Sequence, residues 1–465
     1  MSDTLAAPRD SRPWRRLLSA AEAEKALATA EEIAAAISSP ATQAARAASD
    51  RGPAADRLPP GAEAEPQGFR RPPHLDFSLA DGHAGIAVFF SYLEAARPGR
   101  GYGAWALGHL EQAIAGMGEI ETPPQLYSGF PGVAWAVEHL DGRLADREED
   151  TGGDVARLLA DHLGHSPWRR HFDLTRGVVG LGVYALERSR RPYGEECLRR
   201  TVARLAEIAE HREDGITWRS PPGPQAPPGL QAPPGPQGPH DAPSDGIAGH
   251  NLGVAHGVPG VIALLGEAVA ALDPPAASAL LPGAVAWLLA QKLPPGSPSV
   301  FPDRVAPGST PAPTRISWCY GDLGISVALL GAARRTGRPA WEAEALAIAR
   351  GAAMRPLGQA GVVDPGLCHG AAGAAHLFNR LFQATGEQVF AEAARGWIAR
   401  TYALRRAGSG LAGFSAWRSG PSGEMGWHGT AGLLTGAAGV GLALLAAATT
   451  TAPAWDRMLL VSVPG

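Results

Sequence analysis

Two short strings carry the reactive side chains of this chain: Ser317-Trp318-Cys319-Tyr320-Gly321 and Leu367-Cys368-His369-Gly370. Only three cysteines occur in 465 residues, and two of them stand beside glycine in near-parallel settings. Two thiolates and one imidazole make a three-ligand set that suits Zn²⁺ and leaves a fourth coordination position open. A closed zinc site mainly holds a fold together, whereas an open one does chemistry. The competing reading is that Cys319 and Cys368 are buried as small hydrophobes, the usual fate of a free cysteine. No C-x-x-C pair is present, so this is not a finger-type pattern. Cys197, in the run GEECLRRTVARL, reads as a buried helix residue, and His83, His376 and His428 as loop or helix-surface residues.

These side chains must be positioned by something, and self-comparison of the chain finds it. A glycine, two residues, a second glycine and an apolar run recur seven times, beginning at Gly82, Gly129, Gly177, Gly257, Gly321, Gly370 and Gly436. The first glycines are separated by 47, 48, 80, 64, 49 and 66 residues, a base unit near 48 with insertions. Each unit accommodates two helices. The run after each glycine pair is apolar nearly all round, which predicts a helix buried on every side. Val155–Leu163, Leu198–Glu210 and Trp341–Ala353 repeat their apolar residues three and four apart, which predicts amphipathic outer helices. The spacing predicts a ring of inner helices inside a ring of outer ones. Glycine at each inner N-terminus allows close backbone approach, and for most copies the motif reads as packing alone.

The reactive residues fall on one edge of that ring. Cys319 lies two residues before Gly321, Cys368 and His369 immediately precede Gly370, and His256 immediately precedes Gly257. Asp173 stands four residues before Gly177, and Arg315 four before Cys319. Consecutive units would set these groups on neighbouring loops around one opening. For His256 a packed or capping role competes with catalysis, for Asp173 a helix cap does, and Arg315 can equally be an ordinary surface charge.

Composition removes other classes. A net charge of −4 gives no basic excess for nucleic acid and no polybasic membrane patch. The odd cysteine count argues against a disulfide scaffold and fits a reducing cytoplasm. No basic stretch followed by an apolar one follows Met1, so no secretory signal is read. Residues 429–455 carry no charge until Asp456 and are long enough to span a bilayer, but their recurring glycines and closing Thr and Pro predict a core helix instead. Residues 1–70 form an N-terminal extension, partly helical (Leu17 to Ile37) and otherwise disordered. Residues 219–245 form a Pro/Gly/Gln insert too poor in apolar side chains to order itself. Residues 71–465 make up the main domain.

VAHGVPG, RISWCYGDLG, LCHGAAG and the closing LLTGAAGVGLALL together resemble the lanthipeptide cyclases, the LanC-like family, from about residue 75 to 447. The resemblance implies an all-α fold, an α/α toroid of seven inner and seven outer helices around one Zn²⁺. It implies formation of lanthionine or methyllanthionine rings by addition of peptide cysteine thiolates to dehydroalanine or dehydrobutyrine. Cys319, Cys368 and His369 match the metal ligands, and His256 the general acid. Asp173 matches its acidic partner, while Arg315 and Tyr320 match positions that stabilise the enolate or hold the substrate. A dehydrated, leader-bearing precursor peptide, a separate dehydratase and an exporter are the implied partners. The implied setting is cytoplasmic, with peripheral attachment to a membrane-associated synthetase complex left open. The N-terminal extension and the Pro-rich insert have no match in the family pattern. A zinc prenyltransferase would place an Asp where a cysteine stands here, and a toroidal glycosidase would need two facing carboxylates. The alternative that survives is a LanC-like protein that binds zinc and glutathione, or adds glutathione to dehydroamino acids.

Overall fold

The first glycine of every pair stands where a helix begins, because nothing larger fits. The computed structural model describes residues 13–42, 76–118, 122–144, 150, 152–220, 249–419 and 425–465. The Pro/Gly insert lies outside the described residues except for Arg219 and Ser220, as do residues 1–12 and 43–75. Fourteen α-helices are complete among the described residues, in chain order. They are α1 (Ala20–Ile37), α2 (His83–Ala96), α3 (Tyr102–Gly118), α4 (Phe130–Leu140), α5 (Gly153–Gly164), α6 (Val178–Glu187), α7 (Gly194–Glu207), α8 (Val258–Leu272), α9 (Pro275–Ala290), α10 (Asp322–Arg335), α11 (Pro339–Met354), α12 (Ala371–Thr385), α13 (Gln388–Ala403) and α14 (Ala437–Ala448).

The even-numbered helices are the inner set. Each packs on the next, and α14 packs on α2, which closes the ring. Their all-round apolar character has the expected result: every residue of α14 is buried, as is α10 from Asp322 to Ala333. Around them, α3 packs on α2, α7 on α6, α9 on α8, α11 on α10 and α13 on α12, while α5 lies beside α7. The fold is an all-α toroid of seven inner and seven outer helices.

The seventh outer helix comes from the N-terminal segment. α1 begins with a capping box, in which the Ser19 hydroxyl and the Glu22 carboxylate satisfy each other's backbone amides. Its stripe Ala23, Ala26, Ala30, Ile33 and Ile37 faces inward and packs on α14. Just before it, the Trp14 indole donates to Ala446 O at 2.8 Å and the Leu17 amide to Ala447 O at 3.0 Å. The described part of the extension thus belongs to the barrel wall.

Neighbouring units meet through their glycines. A Cβ on Gly132 would lie 1.9 Å from the Leu126 carbonyl oxygen and 2.8 Å from Leu79 Cβ of the preceding unit. Gly439 stands in the same relation to Leu433 O and Leu367 Cβ, at 1.9 and 2.9 Å. The three residues before each first glycine then repeat one arrangement. The third one back (Leu79, Leu126, Leu174, Val254, Trp318, Leu367, Leu433) is apolar and at most 1% exposed. The second one back joins a belt of backbone hydrogen bonds from unit to unit. Thr175 N donates to Ala255 O, Ala255 N to Cys319 O, Cys319 N to Cys368 O, Cys368 N to Leu434 O, Leu434 N to Ala80 O and Ala80 N to Tyr127 O. The last residue (Asp81, Ser128, Arg176, His256, Tyr320, His369, Thr435) is polar in all seven units, and each is half-exposed beside a buried glycine.

The other end of the ring is plugged. The 3₁₀ turn Ala454–Leu459 enters the ring, where Trp455, Met458 and Leu459 are buried. Buried Asp456 accepts from Arg380 and lies 2.7 Å from His376 Nε2, both on α12. Arg457 pairs with Glu187 of α6 at 2.6 Å, and the Glu187 carboxylate also meets His139 of α4 at 2.9 Å. These partners stand on different sides of the ring, so the turn lies in its middle. Tyr127 Oη donates to Met458 O at 2.7 Å and Trp318 Nε1 to Leu459 O at 2.9 Å, which brings the plug up beneath the loop that carries Cys319.

Two histidine readings are corrected. His376 and His83 were expected on the surface, yet both are buried on inner helices. An inner helix has no solvent face, so its polar side chains must satisfy one another. His376 does so with Asp456, and His83 with Asp76 at 3.0 Å and His109 at 2.6 Å. Cys197 is buried in α7, and the uncharged stretch before Asp456 forms the 12-residue core helix α14. No helix among the described residues is long and apolar enough to cross a membrane.

Candidate metal centre and acid dyad

Cys319 and Cys368 occupy the same register, two residues before the first glycine, in consecutive units. The belt bond between them (Cys319 N to Cys368 O, 3.4 Å) holds the two loops side by side. Ligand atoms of Cys319, Cys368 and His369 all lie within 4.8 Å of one another, and among the described residues this is the one such group of three or more. Cys319 is 5% exposed, while Cys368 and His369 are half-buried, so the cluster is reached from the ring's opening.

The electrostatics suit a soft cation. The hydrogen bond from Cys368 holds Cys319 well below the ordinary thiol range, helped by His369 and by the Arg315 charge. That same bond pushes Cys368 well above it, so the pair shares one proton. Burial works against a charged His369, yet the Asp364 carboxylate and Cys319 hold its pKa up at about 10. One bound cation would relieve all three conditions by replacing the shared protons. The donor set of two thiolates and one imidazole, with access from one side, fits Zn²⁺ with an open position.

One unit back stands a second constellation. His256 Nδ1 is 3.2 Å from Asp173 Oδ2 and 2.9 Å from Thr175 Oγ1. The Thr175 hydroxyl and the Arg176 amide both donate to Asp173 Oδ1, at 3.2 and 2.6 Å. Burial raises the cost of the Asp173 charge, but His256 and the Arg176 amide hold the carboxyl below its usual range. Nδ1–H therefore points at the carboxylate, and Nε2 is the nitrogen left for proton exchange. The ring of Tyr320 stacks on that of His256 with centroids 6.0 Å apart, and the Tyr320 hydroxyl accepts from Asn251 Nδ2 at 2.9 Å. Because Tyr320 follows Cys319 directly, and Ala255 N donates to Cys319 O, the dyad is joined to the thiol loop at both points. Arg315 is 7% exposed, and its backbone is pressed against Gly361, where a Cβ would come within 2.9 Å of Arg315 Cβ.

All seven residues singled out in the sequence thus lie on four consecutive loops. Three neighbours escaped notice: Thr175, Asn251 and Asp364. Asn251 and Asp364 stand six residues before their first glycines, the register that also holds Arg315, so a column-by-column alignment of the units would have found them.

A family model for lanthionine synthetase C-like proteins matches residues 73–460. The chain belongs to that family. Among solved structures it is similar to nisin cyclase, with a TM-score of 0.60 at 16% identity, covering 83% of this chain and 93% of that one. No curated protein sequence matches the chain.

Proposed function

We propose that the protein is a zinc-dependent lanthipeptide cyclase. It would close thioether rings in a dehydrated precursor peptide supplied by a separate dehydratase in the cytoplasm and passed on to an exporter. The observation that carries this reading is the meeting of Cys319, Cys368 and His369 beside the Asp173–His256 dyad at one open end of a LanC-like toroid. Cys319, Cys368 and His369 would hold the zinc, and when bound it supplies the positive charge that keeps an incoming thiol deprotonated near neutral pH.

The rest is assigned to the chain's own groups. The substrate sulfur adds to the β-carbon of the dehydro residue, the alkene electron pair moves toward the α-carbon and its carbonyl, and an enolate results. His256, held at Nδ1 by Asp173, returns a proton from Nε2 to the α-carbon. The thiol's own proton goes to solvent and solvent returns one to His256, so the product is an isomer of the reactants. Arg315 and Tyr320 border the same opening and are assigned to the enolate oxygen and to holding the peptide.

The test begins with elemental analysis of untagged protein. About one zinc per chain, lost in Cys368→Ala, is expected. A dehydrated peptide carrying Ser, Thr and Cys should then lose its free thiol, with no change in mass. Well-folded protein that takes up no zinc would overturn the reading. Zinc binding with transfer of glutathione, and no ring closure, would replace it by the glutathione-adding alternative.

A further inference from the structure

Asp364 has no counterpart among the residues assigned above, and its surroundings are built around its charge. The carboxylate is 0% exposed. Oδ1 accepts the Gly366 amide at 3.0 Å, while Oδ2 lies 3.3 Å from His369 Nε2 and accepts the Trp417 amide at 3.3 Å. The loop is wrapped so closely that a Cβ on Gly370 would come within 2.4 Å of Oδ1. No water reaches the group, and every contact given to it is a donor.

We infer that Asp364 is the positioning residue for the metal ligand His369, fixing which ring nitrogen faces the two thiols. This deepens the zinc reading above and rests on it. An imidazole has two nitrogens, and only one can ligate. Asp364 holds Nε2–H, which leaves Nδ1 as the nitrogen to ligate beside Cys319 and Cys368. A carboxylate behind a ligating imidazole also raises its basicity and stops the ring from rotating, and loss of such a partner typically weakens metal binding about 10- to 100-fold. The Trp417 amide belongs to strand β1 (Ala416–Ser419), which pairs antiparallel with β2 (Met425–His428). Asp364 is therefore clamped from its own loop and from this hairpin, so the ligand is fixed by two separate parts of the chain.

The experiment measures metal binding rather than turnover. Wild type, Asp364→Asn, His369→Ala and the double variant are titrated with Zn²⁺ against a chromophoric chelator and with Co²⁺ by visible absorption, each confirmed folded by circular dichroism. Asn has nearly the shape of Asp but places an N–H among donors. Zinc affinity is expected to fall about 10- to 100-fold in Asp364→Asn, with a shifted Co²⁺ spectrum, and to fall no further when Asp364→Asn is added to His369→Ala. Wild-type affinity and spectrum in folded Asp364→Asn would overturn the inference while leaving the metal reading intact. An equal further loss in the His369→Ala background would also overturn it, since Asp364 would then act on the fold and not through His369. Failure of wild type to bind either metal would overturn both.

Discussion

Asp173→Asn offers the sharpest test of the acid dyad. The substitution keeps the shape of the side chain and removes one charge 3.2 Å from His256 Nδ1. At an effective dielectric of about 20, a unit pair at that distance is worth about 5 kcal/mol. The His256 side chain is 33% exposed, and solvent screens an ion pair so placed. The portion left is close to that of a charged hydrogen bond, about 1.5–3 kcal/mol. Asp173 anchors Nδ1 and so keeps Nε2 aimed at the α-carbon; if the loss of that contact is felt fully in the transition state, ring closure slows about 10- to 150-fold. The assay follows disappearance of free thiol in a dehydrated peptide by alkylation and mass spectrometry, at matched zinc content. His256→Ala and the double variant complete the cycle. Because Asp173 acts through His256, the double variant should be no slower than His256→Ala alone. Fully additive losses, or an unimpaired Asp173→Asn, would refute the reasoning.

Further expectations concern the framework. Gly373→Ala would place a Cβ 1.8 Å from Leu367 O beside the metal loop and should destabilise by at least about 1–3 kcal/mol, whereas Gly108→Ala, with nothing within 4 Å in the middle of α3, should stabilise by about 0.5–1 kcal/mol; urea unfolding of both measures the contrast. Burial, opposed by Asp456, holds buried His376 below its usual pKa, and burial does the same to His139 against Glu187. A depressed folded pKa means stability that is complete above the unfolded value near 6.5 and is lost as pH falls through the folded one. Melting temperature should therefore drop below about pH 6.5, and less steeply in a His139→Gln/His376→Gln double variant. Deleting residues 13–42 uncovers α14 along its outer side and should abolish the cooperative melt; a chain that still melts cooperatively would show that α1 is dispensable.

The ring was legible because its signal is local. Glycine at a crowded helix start and an apolar run without a polar face both follow from sterics and burial, and each unit repeats them. The reactive residues were legible for the same reason: Cys319, Cys368, His369 and His256 sit at fixed offsets from those glycines. What escaped were side chains whose role appears only once a partner is brought up to them. His376 looks like a polar interruption of α12 until Asp456, 80 residues on, is brought into the ring. α1 reads as part of an extension apart from the main domain because α14, its partner, lies more than 400 residues further on. Asp364 reads as a loop residue until His369 and Trp417 converge on it.

That remoteness has a consequence for how the molecule is made. The indole of Trp14 is held by a carbonyl 432 residues away. At about 5–20 residues per second, the ribosome would need roughly 20–80 s to bring α14 into existence after α1 has emerged. Throughout that interval α1 offers its apolar stripe to the surroundings, and the lumen stays open at the end that Ala454–Leu459 will fill. The turn Ala454–Leu459 lies under the Cys319 loop, so the proposed centre would be complete only after closure. If the proposed centre binds metal, newly made protein should acquire it late, after translation of α14, and a nascent chain stalled before α14 should depend on a chaperone for as long as it is held.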